Sequence, residues 1–511
     1  MKGLKIIPIK FEFLGESKEK EDSIIITKNP VEKRFSSLSK KSSINREPKT
    51  EWYSIILAYI MMYFCGIHIS VYFTSMWPYL STLDPNANVD VLGWIVASFS
   101  IGQTFGSPVF GFWSQKSSST TNIVCCGIFF TIIGNMIYTA LPSFPSNCVV
   151  EWMIVSRLIV GFGSGCLGTL RAYVATACLP HDRRRVVALG IASFVLGLSS
   201  GPAVQAAFTP FGDHTGNAFL GITLSMYTAP PIAMIILSII AIVFFRFTFV
   251  ENYSGIIKKE DVEEGKEPIK IPKFDVIAVC VCIYLWFAQQ SVSTNIEVIA
   301  APLTISMYNW SDEEAILYNG LFFSLACLLS VSNYIIQAFT PIGNIDKRKL
   351  IIFGLSSFII FHILNYPYSF YGEHLDPIKL APNSTVEDTS YSGGCSSRYD
   401  WCDTTARVPL YLYAVTMIIC FGFAYPYIAA PNGTMFAEVL GPRKQGGMQG
   451  IFEAFGAMAR CIGPIVATKL FEHSGSKLCM LTQGISLSIG VVLVIVFRKR
   501  LVPLVVPGVG K

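Results

Sequence analysis

Long apolar stretches alternate with short polar ones along most of the chain. Each stretch has roughly twenty residues, and a helix of that length crosses the hydrocarbon core of a bilayer because it rises about 1.5 Å per residue. The stretches lie at about 53–77, 91–113, 120–142, 150–175, 186–208, 225–249, 275–301, 314–338, 349–366, 408–431, 447–470 and 477–497. They are continuously apolar, whereas barrel strands would alternate apolar and polar residues. The pattern therefore predicts an all-α membrane protein with twelve transmembrane helices.

A polar segment separates the first six apolar stretches from the last six. We therefore predict two six-helix bundles joined by a cytoplasmic linker. No apolar core of a signal peptide follows Met1, so the first stretch would also serve as the targeting signal. The predicted organisation is a disordered cytoplasmic tail at 1–51, a first bundle at 52–250, the linker at 251–274, a second bundle at 275–498 with a lumenal loop at 367–407, and a cytoplasmic tail at 499–511.

Composition supports a chain built for lipid. Hydrophobic residues make up 52% of it and charged residues 14%, against about a quarter charged in soluble proteins. The net charge is +5, but the basic residues flank the apolar stretches and do not form one surface stripe. The lipid bilayer is therefore the expected partner, and nucleic acid is not.

Lys and Arg gather in alternate connections between the apolar stretches. The short odd-numbered connections within the two halves carry none. Because cytoplasmic loops keep an excess of positive charge, this bias predicts that both termini are cytoplasmic. The even-numbered connections carry Lys116, Arg183, Arg184, Arg185, Lys347, Arg348, Lys349, Arg443 and Lys444.

The long connection at 367–407 has features of a lumenal or extracellular loop. Asn383 begins a glycosylation sequon, and Cys395 and Cys402 are close enough in sequence for a disulfide across a tight loop, with two free thiols as the alternative. Asn309 begins a second sequon on the same predicted side, but it is close to the membrane. We expect glycosylation at Asn383 more than at Asn309.

Glycine and proline recur at equivalent places in the two halves. The fifth stretch contains Gly197, Gly201 and Pro202, and the eleventh, its equivalent in the second half, contains Gly463 and Pro464. Both stretches directly follow a short basic connection. Repeats of this kind are typical of transporters in which two bundles move around a central site.

Ionisable residues inside lipid-spanning stretches are costly, so each is a candidate for a transport path. Arg460 lies near the middle of the eleventh stretch. Glu453 precedes it by seven residues, two helical turns away on nearly the same face. The alternative to a path is a buried pair that holds helices together.

The fourth stretch carries two arginines and several glycines on one predicted helical stripe. The glycines would permit close helix contact. Arg157 faces this small-residue groove and is a path candidate, whereas we expect the side chain of Arg171 to extend to its own membrane boundary. The stripe consists of Arg157, Gly161, Gly165, Gly168 and Arg171.

Two further stretches carry titratable or polar candidates. His68 lies near the centre of the first stretch, where it could exchange a proton or simply be a hydrogen-bonded core residue. Glu297 lies toward the outer end of the seventh stretch, after a polar run that includes Gln289, Gln290 and Asn295. That run is too polar for lipid and is expected to face a wet cavity.

No residue pattern indicates catalysis or a bound cofactor. Most of the fourteen cysteines lie inside apolar stretches, where they behave as small hydrophobic residues. Their spacing is not that of a metal site, and no stretch pairs a nucleophile with a base. We therefore predict no metal, no cofactor and no enzymatic activity.

Three motifs of the chain are Arg157-Leu-Ile-Val-Gly161 in the fourth stretch, Gly197-Leu-Ser-Ser-Gly201-Pro202 in the fifth, and Gly111-Phe-Trp-Ser-Gln115-Lys116 in the connection after the second. Together they resemble the motifs of the major facilitator superfamily. The resemblance implies twelve helices in two six-helix bundles with inverted repeats, and a role in moving a small solute. The third motif departs from the family at Gln115, where the family has an acid, so the usual cytoplasmic gating contact is in question.

A closer similarity covers residues from about 52 to 500. It is to the lysosomal group of the superfamily that is associated with neuronal ceroid lipofuscinosis, and Glu297, Arg460, Cys395 and Cys402 match that group's pattern. The similarity implies a lysosomal or late-endosomal protein, with chloride as one proposed permeant anion. The shared segments include Ser75-Met-Trp-Pro-Tyr-Leu80, Leu317-Tyr-Asn-Gly320 and Ala459-Arg460-Cys-Ile-Gly-Pro464.

Three functions remain open from the sequence. The first is transport of a small solute, with positive side chains such as Arg460 and Arg157 favouring an anion. The second is a carrier that couples protons to a sugar, amino acid or organic solute. The third is a membrane sensor or scaffold that moves no solute.

Overall fold

The computed structural model describes residues 50–506 apart from several gaps. For residues 77, 89, 90, 146, 312 and 313 it describes the backbone but not the side chain. The predicted sequon at Asn383 and the tail at 1–49 therefore lie outside the described residues. The gaps are 73–74, 85–88, 118, 213–223, 257–270, 379–392 and 397–398.

The described part of the chain is almost entirely helical. Its extended structure consists of two isolated β-bridges, His374 to Ala406 and Pro377 to Cys395. The helices are α1 (Trp52–Ser70), α2 (Met76–Leu83), α3 (Val89–Ser117), α4 (Thr121–Thr139), α5 (Val149–Ser164), α6 (Leu167–Thr176), α7 (Arg183–Ala206), α8 (Ala229–Thr248), α9 (Val276–Tyr308), α10 (Asp312–Phe339), α11 (Lys347–Leu364), α12 (Leu410–Leu440), α13 (Gly446–Ser474) and α14 (Ser476–Val496).

Twelve of these helical stretches are long enough to cross a bilayer when α5 and α6 are counted as one. Ten of the twelve are also apolar enough by composition. The other two are α3 and α11, and α11 begins with three consecutive cations, Lys347, Arg348 and Lys349. The stretches follow the order and approximate positions predicted from hydropathy.

Local chemistry sets several helix ends. At the start of α10, the Ser311 side chain accepts from the Glu314 amide while the Glu314 side chain accepts from the Ser311 amide, which satisfies two free donors of the first turn. The turn between α13 and α14 consists of Gly475, whose φ of +59° suits glycine. These signals explain why both helices begin abruptly.

The fourth stretch is one span but two helices, which the sequence pattern did not predict. The α-helical hydrogen bonding breaks at Gly165 and Cys166, whose amides donate to carbonyls three residues back although both residues keep right-handed helical φ and ψ angles. A Cβ on Gly161 would lie 2.0 Å from the Phe99 carbonyl oxygen, and one on Gly165 would lie 2.4 Å from the Gly106 carbonyl carbon. The glycines therefore allow α5 to contact the backbone of α3, and α6, beyond the break, contacts α13.

Three other boundaries differ clearly from the prediction. The first stretch ends as α1 at Ser70, not at about 77. The seventh stretch continues as α9 to Tyr308, and the tenth continues as α12 to Leu440 despite Pro426 and Pro431. Apolarity ends before helicity in both stretches, because a helix buried among others tolerates polar residues that lipid would not. The short helix α2 was not predicted.

Each half has its own helix pairs, and several further pairs join the halves. In the first half α1 packs against α7, and α5 against α3 and α4. In the second half α9 packs against α13, and α12 against α10 and α11. Between the halves, α3 and α6 contact α13, and α7 contacts α10 and α12. A central site would therefore be lined by these helices and α9.

The connections rich in Lys and Arg meet at one end of the molecule, which we call the basic end. Arg184 Nη1 donates to the Thr340 carbonyl oxygen over 3.3 Å, and the Gly447 amide donates to Gln115 Oε1 over 3.0 Å. We call the other end, with the bond between Cys395 and Cys402, the disulfide end.

Candidate functional site

Arg460 lies in the middle of α13 and joins both halves through neutral side chains. Its Nη2 donates to Gln103 Oε1 on α3 over 2.7 Å, and its Nη1 donates to Gln290 Oε1 on α9 over 3.0 Å. The Arg460 side chain is partly exposed. Among the residues that the structure describes, no carboxylate lies within ion-pair distance of it. The guanidinium charge is therefore held in place without being neutralised.

A tyrosine orients the amide that holds Arg460. Gln290 Nε2 donates to the Tyr425 hydroxyl over 2.9 Å, and Gln289 Nε2 donates to the Tyr425 carbonyl oxygen over 3.2 Å. With its Nε2 used in this way, Gln290 presents Oε1 to Arg460. Gln289, Gln290 and Asn295 are all buried. The prediction that this polar run faces a wet cavity is wrong for these three side chains, because they contact neighbouring helices.

Glu297 faces the same region as Arg460. It follows Gln290 by seven residues, so the two lie on one side of α9. Its side chain is exposed, and its charge interacts with that of Arg460. Glu297 lies past the middle of α9, which continues beyond the predicted stretch to Tyr308. A cation and a carboxylate thus share the space between the halves.

Glu453 is paired with Arg171. Arg171 Nη1 and Glu453 Oε1 are 2.6 Å apart, and both side chains are buried. The Arg171 guanidinium also lies over the Trp286 ring, 4.7 Å from its centroid. The expectation that Arg171 extends to the membrane boundary is wrong, because its charge is satisfied inside the molecule. This ion pair joins α6 of the first half to α13 of the second.

Backbone contacts close the space between the halves at the basic end. A Cβ on Gly450 would lie 2.4 Å from the Ser107 carbonyl oxygen, and one on Gly111 would lie 2.5 Å from the Gly446 carbonyl oxygen. Gln115, which stands where the family has an acid, accepts the Gly447 amide across the same junction. Arg460 and Glu297 lie beyond this closure and remain accessible.

Arg157 and His68 belong to a separate polar cluster inside the first half. Arg157 is 2% exposed and lies over the rings of Tyr72 and Phe99, at 4.6 and 5.2 Å from their centroids. His68 Nε2 is 3.1 Å from the Ser238 hydroxyl on α8. The structure does not bring either residue to Arg460.

The glycine and proline motifs lie at close helix contacts. A Cβ on Gly197 would lie 2.1 Å from the Tyr63 carbonyl oxygen, and one on Gly201 would lie 2.0 Å from the Ser70 hydroxyl, so α7 and α1 touch along their backbones. A Cβ on Gly463 would lie 2.5 Å from Asn295 Oδ1. Pro202 and Pro464 lie within α7 and α13.

The loop at the disulfide end is attached to the turn before α14. Cys395 and Cys402 are joined by a disulfide. Trp401 Nε1 donates to the Glu472 carbonyl oxygen over 3.2 Å, and a Cβ on Gly475 would lie 2.7 Å from the Trp401 ring. Asn309 ends α9 with a left-handed φ of 55° and is only partly exposed.

Sequence reasoning missed the partners of the central arginine. Gln103 and Tyr425 were not singled out as site residues, although an amide inside an apolar stretch was a usable signal for Gln103. The phenol of Tyr425 had no such signal. Across the described ranges, no group of three or more His, Cys, Asp or Glu residues is arranged to hold a metal ion.

This fold and site define a polytopic membrane transporter. Residues 52–373 match the family described as Major Facilitator Superfamily. Major facilitator superfamily domain-containing protein 8 of Xenopus laevis is 30% identical over 458 residues, which are 84% of this chain and 88% of that protein. The chain therefore belongs to the major facilitator superfamily, and it is an integral membrane transporter of a solute.

Solved structures of the superfamily share the fold. The alignment with the crystal structure of the human organic anion transporter MFSD10 covers 88% of this chain and 100% of that protein's chain, with a TM-score of 0.61 and 15% identity. The alignment with the proton:xylose symporter XylE bound to 6-bromo-6-deoxy-D-glucose covers 88% of this chain and 95% of that protein's chain, with a TM-score of 0.57 and 15% identity. At this identity the likeness shows the fold alone.

Proposed function

We propose that the chain moves a small anion, chloride being the first candidate, along a path between its two halves. The observation that carries this proposal is the position of the Arg460 guanidinium between the halves. Two amide oxygens accept its hydrogen bonds, and the side chain is partly exposed. A charge inside a membrane protein costs several kcal/mol or more unless it has a partner or a role. An anion in the path would supply the missing partner.

The geometry of Arg460 suits a transient anion site. A guanidinium has five N–H donors, and the two amides use only part of that set. The field of a fixed charge is stronger in low-dielectric surroundings than in water, so a passing anion is attracted. Because Gln103 and Gln290 come from opposite halves, relative movement of the halves would change how tightly the guanidinium is held.

We further propose that the basic end is cytoplasmic and the disulfide end lumenal, with the linker at 251–274 and both termini in the cytoplasm. The excess of Lys and Arg at the basic end and the disulfide at the other support this orientation. The described arrangement, closed at the basic end, would then be open toward the lumen. A lysosomal or late-endosomal location rests on the similarity to that group.

Flux through liposomes that contain the purified chain tests the proposal. Chloride, bromide and nitrate should cross faster than in empty liposomes, and replacing Na⁺ by K⁺ outside should not change the rate. Absence of flux for all three anions would overturn the anion assignment. Binding of a ligand without flux of any solute would instead favour a sensor.

Glu297 favours a second candidate, a proton-coupled carrier. A carboxyl that is exposed in the path and interacts with Arg460 can bind and release a proton as the halves move. In this case uptake of one sugar, amino acid or organic solute would require an inward proton gradient. Glu297→Gln would abolish that uptake, whereas an uncoupled anion path would keep its flux in this variant.

A further inference from the structure

A cavity of about 280 Å³ opens at the basic end and contains side chains from both halves. The first half contributes His181 and Arg184, which lie at and just after the connection between α6 and α7. The second half contributes the start of α11, the end of α12 and the segment 501–503. We call this the basic-end cavity. It is separate from the region around Arg460.

Cations outnumber carboxylates in the basic-end cavity. Lys347 Nζ lies 3.1 Å from Glu438 Oε2, and Arg348 Nη2 lies 2.5 Å from Asp346 Oδ2, so each of these cations has an acidic partner. Arg184 is the surplus cation. Its Nη1 donates to the Thr340 carbonyl oxygen, and among the described residues it has no carboxylate within ion-pair distance.

We propose that the basic-end cavity binds a phosphate monoester. A phosphate monoester carries a charge of about −1.5 to −2 and three acceptor oxygens. The surplus charge of Arg184 and the unshared N–H groups of Lys347 and Arg348 match both properties, because arginine binds phosphate with two parallel hydrogen bonds. A single halide would leave most of this volume to water, since a water molecule takes about 30 Å³.

The position of the cavity identifies two sources for this phosphate. The cavity lies at the ends of membrane-spanning helices, and basic pockets between such helices bind phosphorylated lipid headgroups. A soluble sugar or cyclitol phosphate would use the same contacts. The lipid differs from its free headgroup by the diacylglycerol esterified to one of its phosphates, so a comparison of the two distinguishes the sources.

Occupancy of the cavity would hold the two halves together. Arg184 belongs to the first half, and Lys347 and Arg348 belong to the second. A phosphate that contacts all three would add to the contact between Arg184 and Thr340 and stabilise closure at the basic end. Its effect on flux, which would be a decrease, rests on the proposed transport function. The binding itself does not.

Binding to the full chain in nanodiscs tests the proposal. The probes are short-chain phosphatidylinositol phosphate, its soluble headgroup inositol bisphosphate, and unphosphorylated phosphatidylinositol as the control. Arg184→Gln should weaken binding of the phosphorylated probe by about tenfold, since it removes a charge-assisted contact. Lys349→Gln removes a neighbouring exposed cation outside the cavity and should change the affinity little.

A gain-of-affinity variant gives a second test if Arg184→Gln folds poorly. Glu438→Gln removes a carboxylate from the cavity and frees Lys347, so it should tighten binding. Binding of the lipid but not of the headgroup identifies a membrane source, and equal binding of both identifies a soluble one. The proposal is overturned if unphosphorylated lipid binds equally well, or if Arg184→Gln and Lys349→Gln have the same effect.

Discussion

The Arg171 guanidinium and the Glu453 carboxylate form an ion pair across the two halves, with Nη1 and Oε1 2.6 Å apart. Their side chains are 9% and 1% exposed, so water screens the pair very little. Gly168 lies one turn before Arg171, and a Cβ added to it would be 3.2 Å from Gly450 Cα. The pair therefore lies one helical turn from a close backbone contact between α6 and α13.

Removing one member of this pair should open the basic end. Glu453→Gln leaves Arg171 buried without a counter-charge, which typically costs about 3–5 kcal/mol. We expect a lower thermal unfolding midpoint and faster thiol labelling of an introduced Ser114→Cys, which is buried at this junction. Arg500→Gln breaks an exposed pair with Asp275 and should cost about 0–1 kcal/mol. Equal effects of the two variants would show that Glu453 does not hold the halves together.

Adding a methyl group at Gly450 should interfere with closure. The new Cβ would lie 2.4 Å from the Ser107 carbonyl oxygen, and such overpacking costs about 1–3 kcal/mol. Gly450→Ala should therefore increase labelling of Ser114→Cys in the same assay. Gly484→Ala is the matched control, because the nearest atom to its Cβ would be 3.9 Å away. If Gly450→Ala behaves like Gly484→Ala, the halves do not meet at Ser107.

Loss of the disulfide should destabilise the loop at that end. Cys395 and Cys402 are seven residues apart, and closing a loop of that size is worth about 2–3 kcal/mol in the chain-entropy model. The double variant Cys395→Ser/Cys402→Ser should unfold at a lower temperature than its parent. A reductant should lower the midpoint of the parent but not that of the variant. Cys148→Ser, which removes an exposed free cysteine, should keep the sensitivity of the parent.

Glu251 should make stability depend on pH. Burial raises the pKa of Glu251, but hydrogen bonds from Thr121, Thr120 and Ser119 outweigh burial and lower the pKa below its ordinary value of 4.5. The carboxylate accepts the Thr121 amide over 2.8 Å and so caps the start of α4. Because the folded-state pKa is depressed, this stabilisation is present above pH 4.5 and is lost as the pH falls through the folded-state pKa.

The measurement compares Glu251→Gln with its parent across this pH range. At neutral pH the variant should be less stable by about 1 kcal/mol, the usual effect of a helix cap. The difference should shrink as the pH falls below 4.5. Glu373→Gln, which removes an exposed carboxylate near Arg407, should show no comparable change. A constant difference for Glu251→Gln at all pH values would contradict the assignment.

Hydropathy was sufficient to predict the membrane-spanning stretches, because lipid requires apolar side chains over a fixed length. The same signal could not reveal the break at Gly165, since both α5 and α6 are apolar. It also placed the ends of α9 and α12 too early. Those ends are buried among other helices, where residues such as Asn432, whose Nδ2 donates to the Cys282 carbonyl oxygen, make contacts that sequence does not display.

The sequence identified the charged residues of the site but not their partners. Arg460 and Glu453 stood out because charge is rare in these stretches. Their spacing of seven residues placed them on one face, but in the structure they have different partners. Glu453 forms an ion pair with Arg171, and Arg460 donates hydrogen bonds to Gln103 and Gln290. Such pairings join residues far apart in sequence. They depend on how the helices pack, which a one-dimensional pattern does not contain.

The central claim is that Arg460 attracts an anion into the path, and anion flux in liposomes tests it most directly. Arg460→Gln should lower the flux by at least about tenfold, because a loss of about 1.4 kcal/mol is already a factor of ten. Arg460→Lys, which keeps the charge, should retain more flux than Arg460→Gln. Lys469→Gln, which removes an exposed cation from the same helix, should match the parent. Parental flux in a correctly folded Arg460→Gln protein would contradict the claim.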